Sequence, residues 1–464
     1  MLEKFKSLLL LLLIASSLFF TYQLWYGHKP TELAVEDTFE QVDAEQPRLV
    51  EDAIIPSQVV INRGDEYYYF RKDEVHFNRL WMFISSLLKT VDNSFASGEP
   101  PELVELKELE EETIACIKCY FDPLLPIGDE MPFLNDVSGD GLNVLKIYCY
   151  DDASWLVINQ PGAGGTKHVS LNQADSRQVN NFLSYVIMDH DQTYTLLTSE
   201  LVSELFNWEI EVRPSIYVPN DKVIMNSLLL DQELLDVDLL LKTFFVDHSL
   251  ARVIEERDGG LLYTDGEKGL RLTDYNFEYS YPRLEEGTTS ALYDEALRNS
   301  INLISYHGGW PANLRLDSIE LQSRRGNLFY STEWIMYYNG YPIHTAQPTK
   351  ASFNDLGLFH FSRMLFRPED DSIVINEDPV SVEKTYRVNV ADWSEAVKKA
   401  IDQFDDLLMI SGATIRLGQV DLGYAALNTE GLPKAVPVWI ISINGEKMIL
   451  KADDLDIIYK EDLF

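Results

Sequence analysis

Cysteines are the first residues in this sequence whose type and spacing could do chemistry. Cys116 and Cys119 stand in the sequence CIKC, and Cys149 follows later. A CxxC pair is half of many zinc sites and is also a redox motif. A second CxxC and a nearby His pair at ligand spacing are both missing, and the surrounding ETIACIKCYF is typical of a buried strand. Because residues three apart on a strand face opposite sides, we predict that the two thiols are core residues. Whether any of the three cysteines form a disulfide stays open.

Two polar stretches could bind phosphate or metal. PGAGGTKH, residues 161–168, is rich in glycine but lacks the spacing of a phosphate-binding loop or of a dinucleotide fingerprint, so we interpret it as a hairpin loop. Asp189 and Asp191 flank a histidine, and carboxylates of this kind can hold a divalent cation. Their place beside a predicted helix end favours a solvated cap.

HGGW, residues 307–310, is the most suggestive stretch for catalysis. In a functional interpretation His307 is a base or a ligand, and the glycines allow substrate to approach closely. In a structural interpretation a helix ends at His307, a glycine takes the left-handed cap, and Trp310 enters the core. No nucleophile, base and orienting group can be proposed together. We therefore expect no catalytic residue, no cofactor and no metal site.

Composition and charge exclude one class of partner. The chain has 464 residues and carries 38 Lys and Arg against 75 Asp and Glu, a net charge of -37. Nucleic-acid phosphates repel such a surface, because binding to them depends on Lys and Arg. We therefore exclude nucleic acid, and the length predicts several domains.

The N-terminal segment, residues 7–26, is predicted to be a transmembrane helix. It is almost entirely apolar, and at 1.5 Å per residue it spans about 30 Å, the thickness of a bilayer's hydrocarbon core. Lys4 and Lys6 precede it and acidic sequence follows, so the positive-inside rule leaves residues 1–6 as a cytoplasmic stub. The rest of the chain then lies outside the cell, beginning with an acidic stalk over residues 27–51.

Three residues of this segment are candidates for contact with a partner helix. Ser17 and Thr21 form a small-xxx-small pair that lets another helix approach closely, and Trp25 lies at the predicted outer interface. The alternative is a cleaved signal peptide whose small-residue site is Ala15–Ser16–Ser17. The apolar character continues past Ser17, and this length favours the anchor.

The remainder predicts an α+β ectodomain. Helical spacing of apolar residues covers residues 75–91 and 174–188, and strand patterns lie between them. Another helix is predicted from Asp231. Asp-Gly pairs after Arg252 then divide short β-runs, which predicts an antiparallel meander.

An internal repeat organises the C-terminal half. DEALRNSI from Asp294 matches SEAVKKAI from Ser394, and LRLDSIEL from Leu314 matches IRLGQVDL from Ile415. WIMYYNG also matches WIISING from Trp439, so three blocks keep their order. Each copy predicts a helix, a strand, a second strand and an Asn-Gly hairpin turn.

These residues resemble the YycH (WalH) family, extracytoplasmic regulators of a cell-wall two-component system in Gram-positive bacteria. The resemblance rests on the anchor followed by TYQLWYG, on FFVDHSLARVIEERDGGLLYTDGEKGLRL and on LISYHGGWPANLRLDSIEL. PVWIISING resembles a strand pair that the family shares with its partner protein YycI. The resemblance implies a single-pass membrane protein with a three-domain, mainly antiparallel ectodomain. It also implies association with YycI and with a sensor histidine kinase (WalK, YycG), whose activity it restrains.

The predicted division follows from the repeat and the resemblance together. Residues 52–198 form an N-terminal α+β domain, 199–346 a central β-rich domain, and 347–464 a C-terminal, YycI-like domain related to the central one. The alternatives are a membrane-anchored extracellular hydrolase and a cell-wall-binding module. A hydrolase would need a pocket gathering His307, Asp317 and Glu320, and the acidity opposes binding to anionic polymers. Self-association into a homodimer stays open.

Overall fold

The structure is a computed structural model, and it describes most of the chain after residue 54. The described residues are 55–72, 74–91, 96–97, 115–125, 142–150, 153–160, 165–190, 192–233, 236–257, 259–282, 293–306, 310–311, 313–324, 326–368, 387–408, 414–427, 434–459 and 463. All of them belong to one compact unit, Ala44–Phe464. The predicted stub, transmembrane segment and stalk, residues 1–51, lie outside them. Within the part that is described, the helices are too short or too polar to span a bilayer.

The helices pack on sheets through apolar stripes. Those described are α1 (Val75–Thr90), α2 (Gln173–Met188), α3 (Ser199–Phe206), α4 (Val237–Phe244), α5 (Tyr293–Tyr306) and α6 (Trp393–Leu408). α1 buries Phe77, Leu80 and Ile84 on one side, and its Phe83 stacks on Phe182 of α2 at 4.2 Å between ring centroids. The helices predicted at 75–91 and 174–188 are therefore confirmed.

The predicted start of α4 was wrong. Asp231 and Gln232 are strand residues, paired with Arg367 and Phe366. The helix begins only at Val237, where the Asp236 carboxylate accepts a hydrogen bond from the Leu239 N–H. An aspartate at this position satisfies an otherwise unpaired N–H of the first turn.

The first sheet is antiparallel, and its strands come from residues 58–219. The strands up to that point are β1 (Gln58–Arg63), β2 (Glu66–Arg71), β3 (Ala96–Ser97), β4 (Ala115–Leu125), β5 (Leu142–Tyr150), β6 (Ala153–Gln160), β7 (Gly165–Ser170), β8 (Tyr194–Leu197), β9 (Ile210–Val212) and β10 (Ile216–Pro219). The order across the sheet is β10-β8-β2-β1-β4-β5-β6-β7-β3. β9 is not part of it and pairs elsewhere.

A larger sheet contains most of the remaining strands. These are β11 (Ile224–Asn226), β12 (Leu228–Gln232), β13 (Arg252–Glu255), β14 (Leu261–Thr264), β15 (Gly269–Leu272), β16 (Asn276–Ser280), β17 (Leu314–Arg324), β18 (Asn327–Tyr338), β19 (Tyr341–His344), β20 (Thr349–Asn354), β21 (Gly357–Met364), β22 (Phe366–Pro368), β23 (Arg387–Asn389), β24 (Ile415–Leu427), β25 (Lys434–Ile443), β26 (Glu446–Lys451) and β27 (Ile457–Ile458). Its main path is β13-β14-β15-β16-β21-β20-β18-β19-β24-β25-β12-β22. β13 to β16 form the predicted antiparallel meander. The fold is thus mainly antiparallel sheet with few helices, as the sequence predicted.

The two repeat segments have the same order of elements. α5, β17, β18 and β19 follow one another in the first copy, and α6, β24, β25 and β26 do so in the second. Both Asn-Gly pairs form the predicted hairpin turns, with φ of 47° and 82° at Asn339 and Gly340, and 54° and 88° at Asn444 and Gly445. β19 of the first copy pairs in parallel with β24 of the second, so one sheet is continuous through both.

The registers of the two copies differ. In each copy the matched octapeptide carries a bulge, between Leu316 and Ser318 and between Leu417 and Gln419. Leu316 lies opposite Trp334, whereas its counterpart Leu417 lies opposite Ile443, next to the turn. The octapeptide match therefore reflects a shared bulge, while the tryptophan blocks keep their distance to the turn.

The cysteines lie in the interior, as predicted. Cys116 and Cys119 are on β4 and Cys149 is on β5, and all three are buried free thiols. Burial raises the pKa of the Cys119 and Cys149 thiols well above the ordinary value. A thiol that stays protonated is a poor nucleophile and a poor ligand, which agrees with a packing role.

Candidate functional site

Two buried cations join the first sheet to the repeat segments. Arg71 ends β2 and Lys72 follows it, and their side chains are about as buried as core leucines, at 3% and 4% exposure. The Lys72 ammonium donates to the Leu316 carbonyl of β17 at 3.1 Å. We call this region the Arg71 junction, and its members are Arg71, Lys72, Glu74, Tyr69, Tyr194, Tyr341, Gly340 and Asp421.

The Arg71 guanidinium is surrounded by aromatic rings and one carboxylate. It lies 4.8, 5.5 and 4.7 Å from the ring centroids of Tyr69, Tyr194 and Tyr341. It donates to the Tyr194 hydroxyl at 2.8 Å and lies 3.4 Å from an oxygen of Asp421 on β24. A buried charge needs such partners, because transfer from water is otherwise costly. One side chain therefore ties β2 to both repeat segments.

The Asn339–Gly340 hairpin turn inserts into this junction. A Cβ built on Gly340 would lie 2.7 Å from Cγ of Glu74 and 2.8 Å from Cβ of Arg71. At the equivalent Gly445 in the second copy, no atom of the described residues lies within 4 Å of such a Cβ. The first copy's hairpin is thus docked against Arg71 and Glu74, and glycine is needed there for space as well as for its positive φ.

Gly340→Ala and Gly445→Ala form a matched pair of variants. Both variants impose alanine on a positive φ, a strain of about 1 kcal/mol. Only Gly340→Ala also pushes the docked hairpin away from Arg71 and Glu74. We expect Gly340→Ala to lower the free energy of unfolding by about 2–4 kcal/mol and Gly445→Ala by about 1 kcal/mol. Urea unfolding of the full-length chain, followed by circular dichroism, measures both, and equal losses would contradict the docking.

Glu74 brings a titratable group into the same junction. Burial raises the pKa of this carboxyl to about 7, against the opposing influence of the Arg71 charge and N–H. Its Oε2 accepts the Arg71 N–H at 3.3 Å. The carboxyl is therefore protonated in the folded chain under mildly acidic conditions and ionises close to neutrality.

Glu74 makes the stability depend on pH in a defined direction. The folded pKa of about 7 lies above the ordinary 4.5, so stability is fully present below about pH 4.5 and is lost as pH rises through 7. The full loss is about 3 kcal/mol. We expect Glu74→Gln to remove this component, so that the difference in unfolding free energy between wild type and variant changes from pH 5 to pH 8. A constant difference across this range would show that Glu74 does not titrate there.

A cleft of about 890 Å³ lies between the two repeat segments. Glu278, Glu333, Lys350 and His360 line one side, from β16, β18, β20 and β21. β26 and β27 also line the cleft, with the apolar Met448, Ile449, Ile457 and Ile458 and the charged Glu446 and Lys447. Cavities of this size with mixed walls are typical binding sites for small ligands or peptide segments.

His344 is the most perturbed group of the cleft. Burial, with a smaller effect of Lys447, lowers the pKa of its imidazole to about 3, and its buried Nε2 has no hydrogen-bond partner in the part of the chain that the structure describes. Burial also raises the pKa of Glu333, assisted by Asp317. The imidazole is therefore neutral at physiological pH.

The residues predicted from sequence for chemistry do not converge on the cleft. Asp317 and Glu320 lie on β17 and are not among its lining residues, and His307 lies outside the described residues. Asp189 caps α2, as the cap interpretation predicted. Trp310 packs edge-on against Trp334, with 5.0 Å between their ring centroids. The pocket that would support a hydrolase is therefore not formed by these two carboxylates.

The predicted partner-contacting residues Ser17, Thr21 and Trp25 lie outside the described residues. Sequence reasoning missed Arg71, although two adjacent cations at the end of the apolar strand EYYYFR are unusual in so acidic a chain. That pair of cations was a usable signal for a buried site. No signal in the sequence pointed to Asp421 as the partner of Arg71, because 350 residues separate the two.

Comparison with known proteins gives the family. The model for the YycH protein N-terminal domain matches residues 3–94, and the model for the YycH protein C-terminal domain matches residues 213–453, more than half of the chain. The chain belongs to the YycH family. This family has a regulatory role in the YycG (WalK) two-component system and is not a known enzyme family.

One solved structure, of a YycH protein, agrees with the YycH assignment at the level of the fold. The crystal structure of YycH from Bacillus subtilis is 13% identical, with a TM-score of 0.56, and the likeness covers 88% of this chain and 98% of that one. An uncharacterized protein from Eubacterium rectale is 9% identical with a TM-score of 0.36, covering 58% of this chain and 93% of the other. No curated protein matches this chain.

Proposed function

We propose that this YycH-family chain is a membrane-anchored extracytoplasmic regulator that associates with a sensor histidine kinase of the WalK (YycG) type and with a YycI-like partner. Residues 7–26 anchor it in the cell membrane of a Gram-positive bacterium, with the N-terminus in the cytoplasm. The ectodomain lies outside the cell, and the complex restrains the kinase. The observation that carries the proposal is the family match, whose first part begins at residue 3 and therefore includes the apolar segment.

Helix association is the proposed route to the kinase. Interhelical polar contacts in lipid contribute about 0.6–2 kcal/mol each. Coupling between two states of a receptor is typically about 1–3 kcal/mol, so a few contacts of one helix are enough to bias a kinase. Ser17 and Thr21 are the proposed contact residues, with Trp25 holding the helix at the outer interface.

The ectodomain is proposed to fix the identity and orientation of the partner. Its three domains are proposed to be residues 52–198, 199–346 and 347–464, the last two arising by duplication. The cleft between the repeat segments is the proposed contact for a partner segment, since it brings apolar residues of β26 and β27 together with charged residues of β16, β18 and β20. The Arg71 junction supports this role because it ties the first sheet to both repeat segments.

The decisive experiment scrambles the order of residues 7–26 while keeping their composition. In the full-length chain we expect loss of co-purification with the kinase and the YycI-like partner, and release of kinase output measured with a target-gene reporter. A finer variant, Ser17→Leu with Thr21→Leu, has Ser16→Leu as its matched control outside the small-xxx-small pair. Unchanged complex and unchanged output in the scrambled chain would overturn the transmembrane mechanism.

The cleft has its own test in the same assay. Met448→Arg places a cation at an apolar residue that lines the cleft, and Leu356→Arg makes the same change at an exposed turn. We expect the first to lower recovery of the YycI-like partner and the second to leave it unchanged. Equal recovery would remove the cleft from the proposal and leave the transmembrane contact standing.

A further inference from the structure

An unpaired strand edge ends the larger sheet. β13 pairs with β14, and among the described residues no strand pairs with its other side. Its four residues are all exposed, with Val253 at 56% and Ile254 at 49%. Because neighbouring residues of a strand face opposite sides of the sheet, β13 is uncovered on both faces. Unpaired apolar edges of this kind are templates for pairing with another strand.

The burial of side chains in the larger sheet decreases toward this edge. One row of side chains crosses five strands from Phe361 through Tyr279, Leu270 and Tyr263 to Val253. The first three of these side chains are buried, Tyr263 is partly buried, and Val253 is mostly exposed. An added strand would continue the row and cover its open end.

Backbone geometry decides which groups of β13 face outward. The Glu256 N–H donates to the Gly260 carbonyl at 2.8 Å, toward the β14 side. Hydrogen-bonding direction alternates along an antiparallel strand, so Arg252 and Ile254 also point to β14. The N–H and C=O groups of Val253 and Glu255 therefore point away from the sheet, toward an incoming strand.

We infer that β13 is a homodimer interface, in which the β13 strands of two copies pair antiparallel about a two-fold axis at Ile254. Only outward-facing residues exchange hydrogen bonds, so Val253 of one copy bonds with Glu255 of the other. In this register Ile254 of one copy lies opposite Ile254 of the other, and Arg252 of each copy lies opposite Glu256 of the other. The register shifted by two residues toward the C-terminus would oppose Glu255 to itself, and like charges directly opposite are destabilising.

Charge complementarity favours a second copy as the occupant. The chain is strongly acidic, yet in this register Arg252 of each copy lies opposite Glu256 of the other. Glu256 already holds Arg271 of its own chain at 2.5 Å, which fixes the carboxylate beside the edge. The general repulsion between two acidic molecules is screened beyond about 8 Å at physiological salt, whereas the paired charges are adjacent.

Cysteine cross-linking of the full-length chain tests the register. Ile254 would face its copy in a non-hydrogen-bonded pair about 4.5 Å apart between Cα atoms, within the range for a disulfide. We expect Ile254→Cys to form a covalent dimer on mild oxidation. Val253→Cys is not expected to form this dimer, because residue 253 of the other copy lies diagonally across the strand pair, about 7–8 Å away. Leu356→Cys is the exposed control, and the three native thiols are buried.

Two further variants measure the association itself. Val253→Pro removes an outward N–H without breaking a bond to β14, and Arg252→Glu opposes two carboxylates while leaving the fold untouched. We expect each to raise the dimer dissociation constant about tenfold or more, measured by sedimentation, with Arg257→Glu as the charge-matched control. A monomer at all concentrations, absence of the Ile254→Cys dimer, or its cross-link to a different protein would each overturn the inference.

Discussion

Replacing Arg71 with alanine is expected to lower the free energy of unfolding by about 3–5 kcal/mol, because it removes the buried cation that is paired with Asp421. The guanidinium contacts three tyrosine rings and Asp421, and its loss leaves that carboxylate without its paired guanidinium. It also removes the side chain that ties β2 to β19 and β24. Urea unfolding of the full-length chain measures the loss.

Two comparisons make the Arg71 result specific. Arg416→Ala breaks an ion pair to Glu211 in which the arginine is 67% exposed, and we expect a loss below about 1 kcal/mol. Arg71→Met combined with Asp421→Leu replaces the pair by apolar groups of similar size, and we expect it to recover most of the stability. If Arg71→Ala cost no more than Arg416→Ala, the junction would not carry the stability that its burial implies.

Replacing Trp334 with alanine is expected to cost about 3–5 kcal/mol for a different reason. The side chain is 1% exposed between α5 and the sheet, so its removal leaves a large cavity. Its indole N–H donates to the Ser300 hydroxyl at 2.8 Å, and that hydroxyl is within 2.7 Å of the Thr332 hydroxyl. The substitution therefore also takes a partner from a buried polar group.

Trp334→Phe separates the two contributions. It keeps most of the ring and loses the N–H, so we expect a loss of about 1–2 kcal/mol. Trp439→Ala tests the equivalent position of the second copy, where the side chain is again 1% exposed and donates to the Ala391 carbonyl at 3.1 Å. A Trp334→Ala variant within about 1 kcal/mol of wild type would show that the helix does not depend on this contact.

Local features of the chain were predictable because their causes are local. Asn339–Gly340 and Asn444–Gly445 form hairpin turns because both residues accept positive φ, whatever surrounds them. α1 and α2 follow from apolar spacing, and CIKC is a buried strand because its neighbours are apolar and β-branched. The start of α4 was misplaced because the pairing of Asp231 with β22, far along the chain, overrode the helical pattern.

The candidate site was not predictable in the same way. Gly340 and Gly445 are alike in sequence context, yet of the two only Gly340 has close neighbours among the described residues, and these are Arg71 and Glu74, far away in the chain. The two octapeptides are also alike, yet their registers differ relative to the hairpins. Neither the docking of one hairpin nor the difference in register can be read from the local sequence.

The sequence by itself determined the family resemblance, the antiparallel α+β class, the repeated order of helix and strands, and the inner position of the thiols. Only the tertiary structure decided that Arg71 meets Asp421, that His344 lines a cleft, and that β13 is an edge strand among the described residues. Turn and periodicity signals act over a few residues, whereas the contact of Arg71 with Asp421 joins residues 350 positions apart. Which distant segments meet depends on packing the whole chain at once, and no short stretch of sequence encodes it.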